Sequence, residues 1–138
     1  MISFNYETDF ELNNETQIKN WIIDVITGEG FKLGEINYIF CDDDYLLQLN
    51  LEFLKHDTLT DIISFDYTIG KEISGDIYIS VERVKDNSKD FNVDFAEELN
   101  RVMVHGVLHY CGYKDKSVEE ESQMRLKENY YIGRLSNI

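Results

Sequence analysis

The sequence predicts an α+β fold, a single domain in which one small mixed sheet of four strands is packed with helices. Three observations predict it. Apolar periodicity runs strand, helix, strand, helix, strand, strand, then helices, alternating early and bunched late. The loop between the third and fourth strands is too short for a crossover, so these two pair antiparallel. A length of 138 residues suits one domain with its own core, and no repeat, linker or low-complexity stretch divides residues 1–138.

The elements follow in order. Residues 2–6 alternate Ile2, Phe4 and Tyr6 with Ser3 and Asn5, the period of a half-buried strand. Residues 13–27 carry Ile18, Trp21, Ile22, Val25 and Ile26 at helical spacing, ahead of the stop signals Gly28 and Gly30. Residues 35–41 are β-branched and aromatic, hence a strand. Asp42, Asp43 and Asp44 could ligate a hard cation, but read better as an N-cap and acidic first turn. Leu46, Leu47, Leu49, Asn50, Phe53 and Leu54 then continue that helix. A polar loop (55–60), a strand (61–67), a turn (68–74), a strand (75–80) and a short charged helix (81–89) come next.

The central helix starts near Asp94, with Glu97 placed for a capping box, and runs to about Cys111, where Gly112 suits a left-handed cap. Ala96, Leu99, Met103, Val107 and Tyr110 share one face, flanked by Val104 and Cys111. A helix this apolar around its girth is buried, and Cys111 is expected as a buried thiol. Ser117 and Glu120 open a last helix with a second capping box, reaching about Tyr130, with Met124 and Tyr131 docked on the core.

Composition narrows the function. Lys and Arg number 13 against 27 Asp and Glu, a formal net charge of −14. Non-specific nucleic-acid binding needs the opposite balance. Two cysteines make no disulfide framework. The first ten residues lack a signal-peptide layout, and no run of 18 uncharged apolar residues offers a membrane span, so a cytoplasmic location is expected.

The chemistry concentrates in residues 101–116, RVMVHGVLHYCGYKDK. His105 and His109 are four apart, so both imidazoles can reach one ion. They sit opposite the main apolar face, in a quadrant shared with Glu98, Arg101 and Val102. Gly112 ends the helix and lets the chain fold back, which offers the Asp115 carboxylate as a third ligand. Two His and one carboxylate leave a position open, the mark of a catalytic rather than a structural metal site. The metallopeptidase pattern H-E-x-x-H needs a glutamate after its first His; here that residue is Gly106.

The stretch HGVLHYCGYKD resembles the signature H-G-x-L-H-x-x-G-Y-D-H of the YbeY family of bacterial rRNA maturation factors, metal-dependent single-strand endoribonucleases. His105, Gly106, Leu108, His109, Gly112 and Tyr113 match. Residues 49–67 resemble the family's L-N-x-x-(F/Y)-R-x-x-D-x-x-T-(D/N)-V-L-S-F segment, and Gly75, Asp76 and Ile77 its G-D-(I/V) strand. Asp115 stands where the family has its third histidine, Lys114 where it has an aspartate, and Leu54 where it has an arginine.

The resemblance implies one Zn2+ per chain on His105, His109 and Asp115, which are also the catalytic group. It implies ribosomal RNA and the small ribosomal subunit as partners, with neither DNA nor membrane. Lys55, beside Leu54, together with Ser64 and Lys114, is expected to contact substrate. Lys55, Arg101, Lys114 and Lys116 could form a positive spot around the ion, or be solvated charges. A ribosome-biogenesis binding protein with little turnover is the alternative, and a metallopeptidase a weaker one. Of the remaining polar residues, His56 reads as an exposed loop residue or a site-facing donor. Glu98 reads as an orienter of an imidazole or a helix-start acid. Asp76 reads as a support for the motif helix, Phe65 as core, and Tyr113 as packing.

Overall fold

The chain is described by a computed structural model covering residues 1–55 and 58–135. The elements are β1 (Ile2–Tyr6), α1 (Glu15–Gly28), β2 (Lys32–Cys41), α2 (Asp43–Leu49), β3 (Ile62–Asp66), β4 (Glu72–Ser80), α3 (Val81–Asp90), α4 (Phe95–Tyr110) and α5 (Val118–Leu135). The strands form one mixed sheet in the order β1-β2-β4-β3. β1 and β4 each run parallel to β2, and β3 pairs antiparallel with β4. The predicted four-stranded mixed sheet is therefore present.

Register explains the core. Tyr38 pairs with Ile77 and Phe40 with Ile79, so each strand turns the same parity of residues to one face. That face meets Ile18, Trp21 and Ile22 of α1 and Leu99, Met103 and Val107 of α4 in one cluster. A smaller cluster of Cys41, Leu46 and Ile63 lies with Phe65 and Tyr78. Two buried polar groups lock the layers together. Trp21 Nε1 donates to Tyr131 O at 2.7 Å, and Tyr38 Oη donates to Met103 O at 2.9 Å.

Several expectations are corrected. β2 and β4 start earlier than their apolar runs, because Lys32 and Leu33 pair with Glu72 and Ile73 ahead of a register shift. The helix after Asp42 does not stay α-helical to Leu54: Asn50–Leu54 is a π-helical turn ending at Lys55, whose φ is 56°. Asp42 caps α2 as expected, accepting from Tyr45 N at 2.9 Å, while Asp43 pairs with Arg83 at 2.8 Å. The box expected at Asp94 is absent, since its side chain makes no cap hydrogen bond. The box at Ser117 forms in both directions. Ala96 is exposed, and Cys111 is half-buried rather than fully buried. α5 continues past Tyr130 to Leu135, with Met124 and Tyr131 buried as expected.

Candidate metal centre

The site rests on α4, and α4 is pinned to the sheet at both ends of its last two turns. At Gly106 the helix comes so close that an added Cβ would meet Ile77 Cδ1 at 3.1 Å and Ile62 Cδ1 at 3.2 Å. A glutamate at that position, as the peptidase pattern needs, would have to push Ile77 and Ile62 aside. At the other end Tyr110 Oη lies 3.0 Å from Phe65 O and 3.2 Å from Asp76 O.

The helix end then shapes the loop. Gly112 has φ +103°, a conformation that costs any other L-residue strain. Its N–H donates to His109 O at 3.0 Å, and Tyr113 N–H donates to Leu108 O at 3.1 Å, the two bonds of a Schellman cap. This turn carries the Tyr113 carbonyl back to 3.0 Å from His109 Nδ1. It also returns Asp115 over the histidines.

Three atoms converge there. His105 Nε2 and His109 Nε2 are 3.0 Å apart. Asp115 Oδ2 lies 3.2 Å from the first and 3.3 Å from the second. Among the described residues these three side chains form the group whose ligand atoms gather within 4.8 Å. Their protonation is set from behind. A carbonyl only accepts, so His109 carries its proton on Nδ1 and turns a lone pair inward through Nε2. His105 Nδ1 sits 2.6 Å from Glu128 Oε2 and is held the same way. With both rings neutral, two imidazole lone pairs and a carboxylate oxygen face one point, an arrangement that a proton on His105 or a bound cation relieves. Tetrahedral bonds of about 2.0–2.1 Å put ligand atoms about 3.3 Å apart, so the residues present fit such an ion and leave a fourth position free.

Glu128 is the functional residue the sequence reading missed. It is 4 % exposed and also receives Arg101 Nη1 at 3.1 Å. One signal was available: Glu128 falls on the stripe Met124, Glu128, Tyr131, the buried face of α5. An acid on a buried stripe needs a partner. Burial disfavours the Glu128 carboxylate, but His105 and Arg101 outweigh that and hold its pKa below the ordinary value. Burial likewise works against imidazolium at His105, yet Glu128, Asp115 and Asp61 together raise its pKa.

A cavity of about 790 Å³ opens beside the site, lined by Asp61, Glu98, Arg101, His105, Asp115 and Glu128 among others. The expected positive spot is not found there. The Arg101 guanidinium is committed to Glu128, and Lys55, Lys114 and Lys116 are exposed without lining this cavity. Ser64 and Leu54 line a smaller neighbouring cavity of about 280 Å³, which shares Ile62 with the first. His56 lies outside the described residues. Glu98 is buried but does not orient an imidazole; Glu128 does. Asp76 supports the motif helix through its carbonyl, while its carboxylate accepts from Asn37 at 2.9 Å. Phe65 packs edge-on against Phe53 and Tyr78. Tyr113 packs, and its hydroxyl donates to Glu29 at 2.6 Å. Burial pushes the Cys111 thiol up to about 12, which leaves it inert as a ligand.

Known proteins share the sequence and the fold of this chain. The family described as Endoribonuclease YbeY matches residues 2–136. A protein of that name from Flavobacterium johnsoniae is 65 % identical over 133 residues, covering 96 % of either chain. Its namesake from Christiangramia forsetii is 55 % identical over 132 residues, covering 96 % of this chain and 92 % of that one. A solution structure from Thermotoga maritima superimposes with a TM-score of 0.70 at 25 % identity, covering 98 % of this chain and 89 % of that one.

Proposed function

The chain belongs to the endoribonuclease YbeY family, and from that premise we propose a zinc-dependent single-strand endoribonuclease that acts in ribosomal RNA maturation. The observation that carries the metal part is the convergence of two imidazole lone pairs and one carboxylate oxygen, each 3.0–3.3 Å from the next. An ion held by His105, His109 and Asp115 would supply Lewis acidity toward water and a phosphoryl oxygen. The residues do the rest. His105 and His109 present Nε2 because Glu128 and the Tyr113 carbonyl hold Nδ1. Asp115 offsets charge with an oxygen ligand harder than the imidazole expected there. Hydrolysis joins a water oxygen to phosphorus and breaks one phosphorus–oxygen bond of the RNA backbone, the leaving oxygen taking up a proton that the water gives up.

Lys55, Ser64 and Lys114 are assigned to hold the strand from outside the large cavity. Ribosomal RNA and the small subunit are the proposed partners. Among the described residues no helix is long and apolar enough to cross a membrane, and the proposed location is the cytoplasm.

A second reading is a metal-binding ribosome-biogenesis factor with little turnover. Leu54 in place of an arginine, and arginines already committed to Glu128, favour it. One assay separates the two: cleavage of single-stranded RNA by the zinc-loaded protein, by its chelator-treated form and by His109→Ala. Nuclease activity is expected only in the first. Cleavage that survives both treatments would sink the metal-nuclease reading, and no cleavage by zinc-loaded wild type would favour the second.

A further inference from the structure

α3 and α5 both pack on α4, and the large cavity is the trough between them. Its metal end holds His105 and Asp115. Its mouth is apolar. Phe91 from the end of α3, and Val118 and Leu126 from α5, line it while 59 %, 79 % and 69 % exposed. Single apolar side chains scattered over a surface need no explanation, but three that line one cavity do. Val102 of α4 is the buried floor.

Phe91 is held in place by the way α3 ends. Asn92 N–H donates to Lys89 O at 3.2 Å and Val93 N–H to Ser88 O at 3.0 Å, with Asn92 at φ 57°. This is the same Schellman cap that closes α4. It fixes the backbone that carries the ring at the cavity wall. Among the described residues no other ring and no cation stacks on Phe91.

Charge decides what suits this space. Asp61, Glu98 and Glu121 line the trough, while Arg101 and Arg125 both lie by Glu128, at 3.1 and 3.7 Å. A phosphate is repelled there. A nucleobase is uncharged and has two flat π-faces, so it can enter where its own backbone does not. The trough is also continuous with the metal centre. Along α4 it follows from Glu98 to His105, roughly 10 Å. A strand whose phosphate lies at the metal end therefore has a neighbouring base to place in the trough.

We propose that the trough is a nucleobase subsite, in which one unpaired base next to the scissile phosphate stacks on Phe91 beside Leu126 and Val118 while the backbone stays outside. It rests on the endoribonuclease reading for the identity of the strand. Stacking on a ring accepts any base, so the subsite sets position and not sequence. A base in a duplex is already paired and stacked, so the same subsite selects single strands.

The test is a double-mutant cycle on binding. Zinc-loaded wild type, Phe91→Ala and Phe91→Tyr are titrated at low temperature, before cleavage sets in, with a short end-labelled oligouridylate. A second set of the same RNA carries one abasic nucleotide, moved along the strand, which removes a base and keeps the phosphate charge. Phe91→Ala is expected to weaken binding about 5- to 150-fold, the usual effect of losing one ring under one base. Phe91→Tyr should keep the affinity. One abasic position should cost wild type a similar factor and cost Phe91→Ala nothing further. Zinc content and melting temperature should stay unchanged in both variants, because the ring is mostly exposed. In wild type, 5-iodouridine at that position should cross-link to Phe91 on irradiation, as located by peptide mass spectrometry. Wild-type affinity in folded Phe91→Ala, equal abasic losses in the two proteins, or a cross-link elsewhere would overturn the proposal. So would self-association that Phe91→Ala abolishes with RNA affinity unchanged, which assigns the apolar mouth to a second copy. A protein that binds with the expected pattern and cuts nothing removes the nuclease reading and leaves the subsite. One that cuts without the pattern removes the subsite alone, and a wild type that binds no RNA removes both.

Discussion

His105 and His109 lie one turn apart on α4 and face the same point, yet they are held by different means. His105 Nδ1 is bound by a carboxylate from another helix, 23 residues away in sequence and 2.6 Å away in space. His109 Nδ1 is bound by a neutral carbonyl four residues on, at 3.0 Å. A charged acceptor makes the ring behind it more basic and a stronger ligand; a carbonyl mainly fixes its direction. The two halves of the site therefore depend on different parts of the fold. His105 answers to the docking of α5, and His109 to the geometry of a helix cap.

The sharpest way to break this asymmetry is Glu128→Gln. It keeps the shape and removes the charge behind one imidazole only. Zinc affinity is expected to fall about 10- to 100-fold, the usual cost of losing such a support. The pH dependence should move with it. His105 has a raised pKa in the folded, metal-free protein. Its stabilising pairing is full below its ordinary value of about 6.5 and is lost as pH rises through the raised one. Metal binding makes the opposite demand, because the ring must be neutral. Wild-type zinc affinity should thus weaken as pH falls through the raised His105 pKa, and in Glu128→Gln that loss should begin at lower pH. A chelator-competition titration across the range of about pH 5–8, where histidine titrates, reads both effects. An unchanged affinity and profile would mean that Glu128 merely fills space.

The local arm is tested by Gly112→Ala. A Cβ at φ +103° strains the turn by roughly 1–2 kcal/mol, with a matching loss of stability and zinc binding weaker by about 30-fold at most. Thermal unfolding with and without zinc separates the two. This arm was legible in the sequence because it is made of near neighbours: the four-residue histidine spacing, the glycine stop, the return to Asp115, and the Ser117–Glu120 box that opens the next helix. The other arm was not. Nothing in residues 101–116 says that a glutamate of α5 will sit behind His105, because that follows from how α5 lands on α4. The same reason hid the fate of Arg101, which reads as a free cation in sequence and is an ion pair in space. Strand ends behave alike: Lys32 and Glu72 become strand only because they find each other. The leucine spacing of residues 46–54 could not tell an α-helix from the wider turn at Asn50–Leu54, since both keep similar faces together.

The smallest effect lies one step further from the ion. The loop that carries the Tyr113 carbonyl is itself anchored, because Tyr113 Oη donates to Glu29 at the end of α1. Glu29 also accepts from Tyr131 Oη and from Lys127 Nζ at 3.2 Å, so one carboxylate ties α1, the metal loop and α5. Burial opposes its charge, but these three donors outweigh burial and lower its pKa. In Glu29→Gln the amide keeps one acceptor and loses the charge. The Tyr113 tether should slacken rather than break, which costs on the order of 0.5 kcal/mol, or two- to threefold in zinc affinity. The metal-free protein should lose more stability than that, because Tyr131 and Lys127 lose the same partner while touching no ligand. Comparing the drop in zinc affinity with the drop in metal-free melting temperature decides the point. Equal losses in the two would place Glu29 in the general packing of the helices, and an affinity loss as large as that of Glu128→Gln would make the neutral arm as strong as the charged one, against the difference between the two histidines.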